Sequence, residues 1–218
     1  VFRAEVSGGN PDEFARRNDI PPCTIYGDNR VVWTVTNVGI DDTVLFDVLS
    51  DEVISTFARQ LIEMYNLYQY TAGAELVGQS EPPVTEQLTL NVNGRDHRAD
   101  AFGGLAYADY EMLRDACRSL SQTPIAFEPQ GAWVSVQRVD YDPNRSSILW
   151  DANAWSWDLN TMSSNPNPQW LSDTEVRFVW SRIRSMGGDV RFESGEGTYQ
   201  IALQIPFLTL NAPPPPAS

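Results

Sequence analysis

Asp140, Asp142 and Asn144 fall at alternate positions of VDYDPNRSSILWD, with Ser146 next and Asp151 twelfth counting from Asp140. Calcium takes several oxygen ligands from a short loop, and this is the ligand spacing of a helix–loop–helix calcium site. Three features depart from it. Arg145 stands where the sharp turn wants glycine, Asp151 is shorter than the usual bidentate glutamate, and no helix is predicted before the loop. The same residues also favour a strand end followed by an Asp-Pro-Asn turn. Calcium held by Asp140, Asp142, Asn144 and Asp151 is one expectation and a plain turn is the other; no further cofactor is expected. Asn144-Arg145-Ser146 also matches the short glycosylation pattern.

Tryptophan is the second chemistry-bearing feature. Six of the seven lie between Trp133 and Trp180: Trp133, Trp150, Trp155, Trp157, Trp170 and Trp180. Exposed indoles bind sugars, peptides or another subunit. Buried ones fill the core of a small module, and Trp133 and Trp180 fit core positions by periodicity. Trp155 and Trp157 alternate, as two residues on one face of a strand do, and with Trp170 they are the candidate contact surface.

Catalytic groups are scarce. His97 is the only histidine and falls inside a predicted hairpin, opposite Leu90. No serine sits in a nucleophile-elbow sequence and no glycine-rich phosphate loop occurs. Acid pairs such as Asp41-Asp42 and Asp51-Glu52 belong to turns and helix starts. The chain is read as non-catalytic.

Charge narrows the partners. Fifteen basic residues, all arginine, face 29 acidic ones, a net of −14. Phosphate backbones need a basic face, so the charge balance argues against a nucleic-acid partner. Arginines in such a background are expected in carboxylate pairs. The apolar runs are too short to span a bilayer.

Cys23 and Cys117 are too far apart for a CxxC site, and two cysteines with one histidine make a poor zinc set. They form either one disulfide or two buried thiols. The chain starts at Val1, and we read it as mature and exported, its leader removed, with Cys23 bonded to Cys117. The expected location is extracellular, cell-surface or periplasmic, with membrane anchoring through an N-terminal segment outside this chain as a further option.

Elements must position these groups. LSDEVISTFARQL from Leu49 and LSDTEVRFVWSRI from Leu171 both open apolar-periodic segments. Ser50 and Ser172 read as N-caps, Glu175 completes a capping box with Ser172, and Leu49 staples onto Ile54. Val53, Phe57, Leu61 and Met64 form the first stripe; Val176, Val179, Trp180 and Ile183 form the second. A further helix is predicted over 107–120. LTLNVNGRDHRADAF reads as a hairpin turning at Asn93-Gly94, CTIYGDNRVVWTV as another, and DVRFESGEGTYQIALQIPFL as a last one. The predicted fold class is α+β: two related modules, 1–123 and 124–210, each an antiparallel sheet of about four strands packed on its Leu-Ser-Asp helix. Residues 211–218 are a proline-rich, extended tail.

FRAEVSGGNPDEFARRNDIPPCTIYGDNRVVW, with its double glycine and Tyr26-Gly27-Asp28-Asn29 turn, resembles the opening of exported lipoproteins of unknown function from Gram-positive and green non-sulfur bacteria. LTLNVNGRDHRADAF followed by a helix fits the same pattern, so the resemblance covers about the first 120 residues and implies location more than activity. Ser7-Gly8-Gly9 at a strand end is similar to the corresponding motif of emfourin, a small inhibitor of thermolysin-like metalloproteases. That similarity implies an inhibitory contact through Ser7, Gly8 and Gly9. The leading expectation is a protein-binding or assembly subunit; the alternatives are a metalloprotease inhibitor, and a carbohydrate binder or enzyme with a Trp-lined acidic groove.

Overall fold

The computed structural model describes residues 2–9, 12–36, 42–73, 83–172, 174–195 and 197–216. Asp41, Asp173 and Glu196, each part of a sequence expectation, lie outside them. The chain is α+β and divides into two compact units: 1–10, 21–35 and 44–127 form the first, and 11–20, 36–43 and 128–218 form the second.

The first unit contains β1 (Phe2–Ser7), β2 (Cys23–Ile25), β3 (Arg30–Thr36), β4 (Asp42–Val48), α1 (Asp51–Glu63), β5 (Thr85–Val92), β6 (Arg95–Asp100), α2 (Tyr107–Arg118) and β7 (Ile125–Ala126). Thr36 and the first residues of β4 group with the second unit. The strand order is β6-β5-β1-β2-β3-β4-β7, seven strands where about four were expected. The extra strands come from stretches that carry little alternation. No strand is predicted for β4 or β7; β7 pairs with β4 through Leu45–Ala126 and Phe46–Ile125.

Period-2 alternation builds the core of this sheet. Phe2 pairs with Ile25 and Leu90, and Ala4 with Cys23 and Leu88, so these side chains share one face. Phe57 of α1 packs edge-on against Phe2 at 5.3 Å. Tyr110, Leu113 and Cys117 of α2 are buried in the same cluster, and a Cys23–Cys117 disulfide ties α2 to β2. Ser50 caps α1 by accepting the Val53 N–H at 3.4 Å, while Leu49 and Ile54 pack on the core. Met64, expected on the α1 stripe, is 70% exposed because α1 ends at Glu63 and Asn66 turns left-handed at φ 47°. Asn93 and Gly94 have φ of 53° and 72°, the pair of left-handed residues that a type I′ hairpin turn requires.

The second unit holds β8 (Ala132–Val139), β9 (Ser147–Leu149), α3 (Leu159–Ser163), β10 (Gln169–Leu171), α4 (Thr174–Met186), β11 (Arg191–Ser194) and β12 (Gly197–Gln204). Its order is β10-β8-β12-β11-β9, with β9 parallel to β11. Five strands and a parallel edge replace the four-stranded antiparallel sheet expected from the sequence. α3 falls in a stretch for which no helix is predicted. Asp158 initiates it by accepting from the Asn160 and Thr161 N–H groups. On the α4 stripe Val176, Val179, Trp180 and Ile183 are buried as the periodicity predicts. Glu175 is buried too, and its Oε1 accepts from the Ser156 N–H and hydroxyl at 2.7 and 2.6 Å.

A short 3-10 turn, Ala15–Asn18, belongs to this unit. β11 pairs with β12 only as far as Arg191–Gln200, leaving the edge of residues 201–203 open on that side. Asn18, 1% exposed, fills the gap. Its Nδ2 donates to the Ile201 and Gly188 carbonyls, both at 3.1 Å, and its Oδ1 accepts the Leu203 N–H at 2.7 Å. One side-chain amide thus stands in for a missing strand, as buried backbone polar groups require. The Leu210 N–H donates to the Asp19 carbonyl at 3.0 Å, seating the segment after β12 on the same turn.

Candidate functional site

The residues with the strongest case for contact lie on β8, β10 and β12. Ala132, Val134 and Val136 alternate as the buried side of β8, which packs on α3. Trp133 therefore points from the opposite face and is half-buried. It is directly opposite Trp170 on β10 and Gln204 on β12, so three side chains form one row across three strands. The two indoles meet edge to face at 5.5 Å.

The row is built around Gly131. A Cβ there would lie 2.7 Å from Cζ2 of Trp170 and 3.2 Å from the Leu171 carbonyl oxygen, so only glycine lets the Trp170 ring lie across the start of β8. The proline-rich tail crosses the row. Trp133 Nε1–H donates to the Pro214 carbonyl at 2.9 Å, and Gln204 Nε2 donates to the Asn211 carbonyl at 3.4 Å. Where the tail begins, a cavity of about 360 Å³ is lined by Glu13, Arg16, Arg17, Gln204, Leu210 and Asn211. Arg17 lies over the Phe14 ring at 5.1 Å and Arg16 is 3.9 Å from Asp19. Guanidinium groups there suit a carboxylate.

The other tryptophans serve the interior. Trp150 is 3% exposed and Trp157 5% exposed. They stack at 5.9 Å, with Trp150 Nε1–H donating to the Trp157 carbonyl at 3.1 Å. Phe192 meets Trp150 from β11. Trp155 is half-buried and stacks on Phe178 of α4 at 4.6 Å. Trp155 and Trp157 do not share a strand face. Residues 152–154 form a turn and 156 a bend, because Asp151 Oδ1 accepts the Asn153 N–H at 2.9 Å and its carbonyl accepts from Ala154 and Trp155. Trp180 is buried, with Arg184 over its ring at 5.0 Å.

The calcium candidates take the alternative, turn-forming arrangement. Asp142 Oδ1 accepts both the backbone and side-chain N–H of Asn144, at 2.9 and 3.0 Å. Those bonds outweigh partial desolvation and hold the carboxyl below its usual pKa. Arg145 pairs with Asp142 at 3.7 Å and with Asp189. Asp151 makes the turn just described, and Asp140 is exposed. Among the described residues no three His, Cys, Asp or Glu side chains gather to hold a metal ion.

His97 faces Leu90 in the register predicted for it. Its Nε2 lies 3.1 Å from the Leu67 carbonyl and its ring is edge-on to Tyr68 at 4.8 Å, a structural setting. Gly8 and Gly9 end β1 with φ of 81° and 76°, so turn geometry alone accounts for the residue type. Ser7 Oγ donates to the Thr85 carbonyl at 3.5 Å.

Sequence reasoning missed Asn18, Gly131 and Gln204. A polar residue in an irregular stretch and a glycine before a strand carry no periodic signal. Their roles appear only when β12 and β10 are in place. Among the described residues no helix is long and apolar enough to cross a membrane. Comparison with protein-family models, with curated proteins and with solved structures returns no match for this chain.

Proposed function

We propose that the chain is a non-catalytic, exported protein-binding subunit that receives an extended segment of another protein on the Trp133–Trp170 face. One observation carries the reading. Two half-buried indoles lie edge to face on a sheet surface, and the Trp133 N–H is directed at a backbone carbonyl rather than at a side chain. Large aromatic residues with one polar handle concentrate binding energy in protein interfaces. The disulfide supports an oxidising compartment. The net charge of −14 supports a protein partner over a nucleic acid. Burial of Trp150 and Trp157 weighs against a sugar groove lined by the Trp150–Trp157 cluster.

The test is affinity capture from the native source with the wild-type chain and a Trp133→Ala/Trp170→Ala chain, both quantified by mass spectrometry. A partner retained by wild type and lost by the variant is the expected result. Equal recovery with both would remove the Trp133–Trp170 face from consideration.

A further inference from the structure

We infer that the Trp133–Trp170–Gln204 row is a dock for a polyproline II segment, and that residues 212–216 of the chain occupy it in cis. This rests on the binding reading above and names its partner class: a proline-rich stretch of another protein that competes with the tail.

The tail has the required shape before any contact is made. Ala212 is followed by Pro213, Pro214, Pro215 and Pro216. Proline fixes φ near −65°, and a residue preceding proline is driven to extended backbone, so this run takes the polyproline II form. Such a helix makes no internal hydrogen bonds and presents its carbonyls outward. The row supplies donors for them. Trp133 Nε1–H reaches the Pro214 carbonyl and Gln204 Nε2 reaches the Asn211 carbonyl. The Pro214 carbonyl lies within the proline run, while Asn211, left-handed at φ 56°, is where the chain turns into it. The donors are direct neighbours in the β8–β12 register. Aromatic rings joined to an N–H donor are the general means of reading proline-rich segments.

The hold is shallow. Ala212 and Pro213 are half-buried, while Pro214, Pro215 and Pro216 are exposed. The tail therefore occupies the Trp133 N–H without being locked to the row. A short flexible tether gives an effective concentration on the order of millimolar. A peptide that binds the unmasked row with a dissociation constant of ~0.1 mM then needs about ten times more peptide to bind the masked chain.

The experiment uses the full chain and a full-chain variant in which Pro213, Pro214, Pro215 and Pro216 are each changed to Gly. Indole N–H resonances are followed while the peptide Ala-Pro-Pro-Pro-Pro-Ala is added. The Gly variant is expected to shift the Trp133 resonance and leave those of Trp150, Trp157 and Trp180 in place, which also shows that the fold survives. Peptide should return the Trp133 resonance towards its wild-type position, at about one tenth of the concentration needed to perturb the wild-type chain. An identical Trp133 resonance in the two proteins overturns cis occupancy. A concentration-dependent dimer that disappears in the Gly variant also overturns it, since the tail then docks on a second copy. No response of Trp133 or Trp170 to millimolar peptide in the Gly variant overturns the proline-rich class. If the Trp133→Ala/Trp170→Ala chain still loses its captured partner in that case, the broader binding reading survives. Peptide binding combined with unchanged partner capture has the reverse meaning: the dock stands and the broader reading falls.

Discussion

The two units solve the same problem with different materials. In the first, one apolar face gathers Phe2, Ile25, Leu88, Leu90, Phe57, Tyr110 and Leu113 into a continuous cluster, and a disulfide closes it between β2 and α2. In the second, a buried amide, a glutamine-to-aspartate chain and a stack of indoles share the work. Gln137 donates to Gln200 at 2.9 Å, and Gln200 donates to Asp12 at 2.8 Å. Burial opposes the Asp12 carboxylate, but donors from Gln200, Ala15 and Phe14 and the nearby Arg191 charge outweigh it, so its pKa lies below the usual value. Apolar contacts tolerate small shifts, whereas buried polar groups must be satisfied by particular partners. The second unit is thus the more exacting of the two, and it is also the one whose surface carries the candidate dock.

The largest test of this contrast removes the disulfide. Cys23 and Cys117 are 94 residues apart in sequence, and closing a loop of that size restricts the unfolded chain by roughly 4–5 kcal/mol. Cys23→Ala/Cys117→Ala should lose that stability, with hydrogen exchange accelerating in β1, β2 and α2. Protection in β8 and β12 is expected to persist. Equal acceleration everywhere would mean that the contrast between the units has no energetic content.

Asn18→Ala is the converse perturbation. It strips partners from the Leu203 N–H and from the Ile201 and Gly188 carbonyls. A buried unpaired group costs roughly 1–3 kcal/mol, and partial relaxation brings the total to about 3 kcal/mol. Denaturant melts followed by tryptophan emission are suited to it, since six of the seven indoles belong to this unit. A loss under about 1 kcal/mol would show that the plug is replaceable by water.

These two perturbations also mark what the sequence discloses. Val176, Val179, Trp180 and Ile183 announce α4 by their spacing, and Asn93-Gly94 announces its hairpin by residue type, because both signals are local. The Cys23–Cys117 bond was one of two open alternatives, settled by the packing of α2 on β2. β4 and β7 escaped notice because neither shows a strong period. Asn18 escaped because its partners lie more than 160 residues away. The candidate site was half legible. Trp170 was named as a contact residue, but Trp133 was assigned to the core by a periodicity that does not say which face of β8 is covered. Trp155 and Trp157 alternate like strand residues, yet they follow the turn that Asp151 makes.

Alkaline pH probes the first unit through Tyr110. Burial raises the Tyr110 phenol to about 12, and its buried hydroxyl has no hydrogen-bond partner among the described residues. The unfolded chain releases this proton near pH 10. Stability conferred by the neutral phenol is therefore fully present below pH 10 and is lost as pH rises through about 12. The loss approaches roughly 3 kcal/mol. Tyr110→Phe should flatten this part of the pH–stability curve and cost little at neutral pH. An unchanged slope in the variant would assign base lability to other groups.

The finest test separates ring from donor on the second unit. Trp133→Phe keeps an aromatic ring against Trp170 but removes the N–H that reaches Pro214. An exposed hydrogen bond contributes no more than about 1 kcal/mol, so the global melt should barely move. Gly131→Ala keeps the N–H and displaces the Trp170 ring, because the added methyl meets Cζ2 at 2.7 Å; it should cost roughly 1–2 kcal/mol. Proteolysis of the tail distinguishes the two. If the N–H holds the tail, Trp133→Phe releases it to rapid cleavage, although this variant is the less destabilised. If cleavage instead follows global stability, Gly131→Ala will be the faster, and the tail rests on the sheet by packing alone.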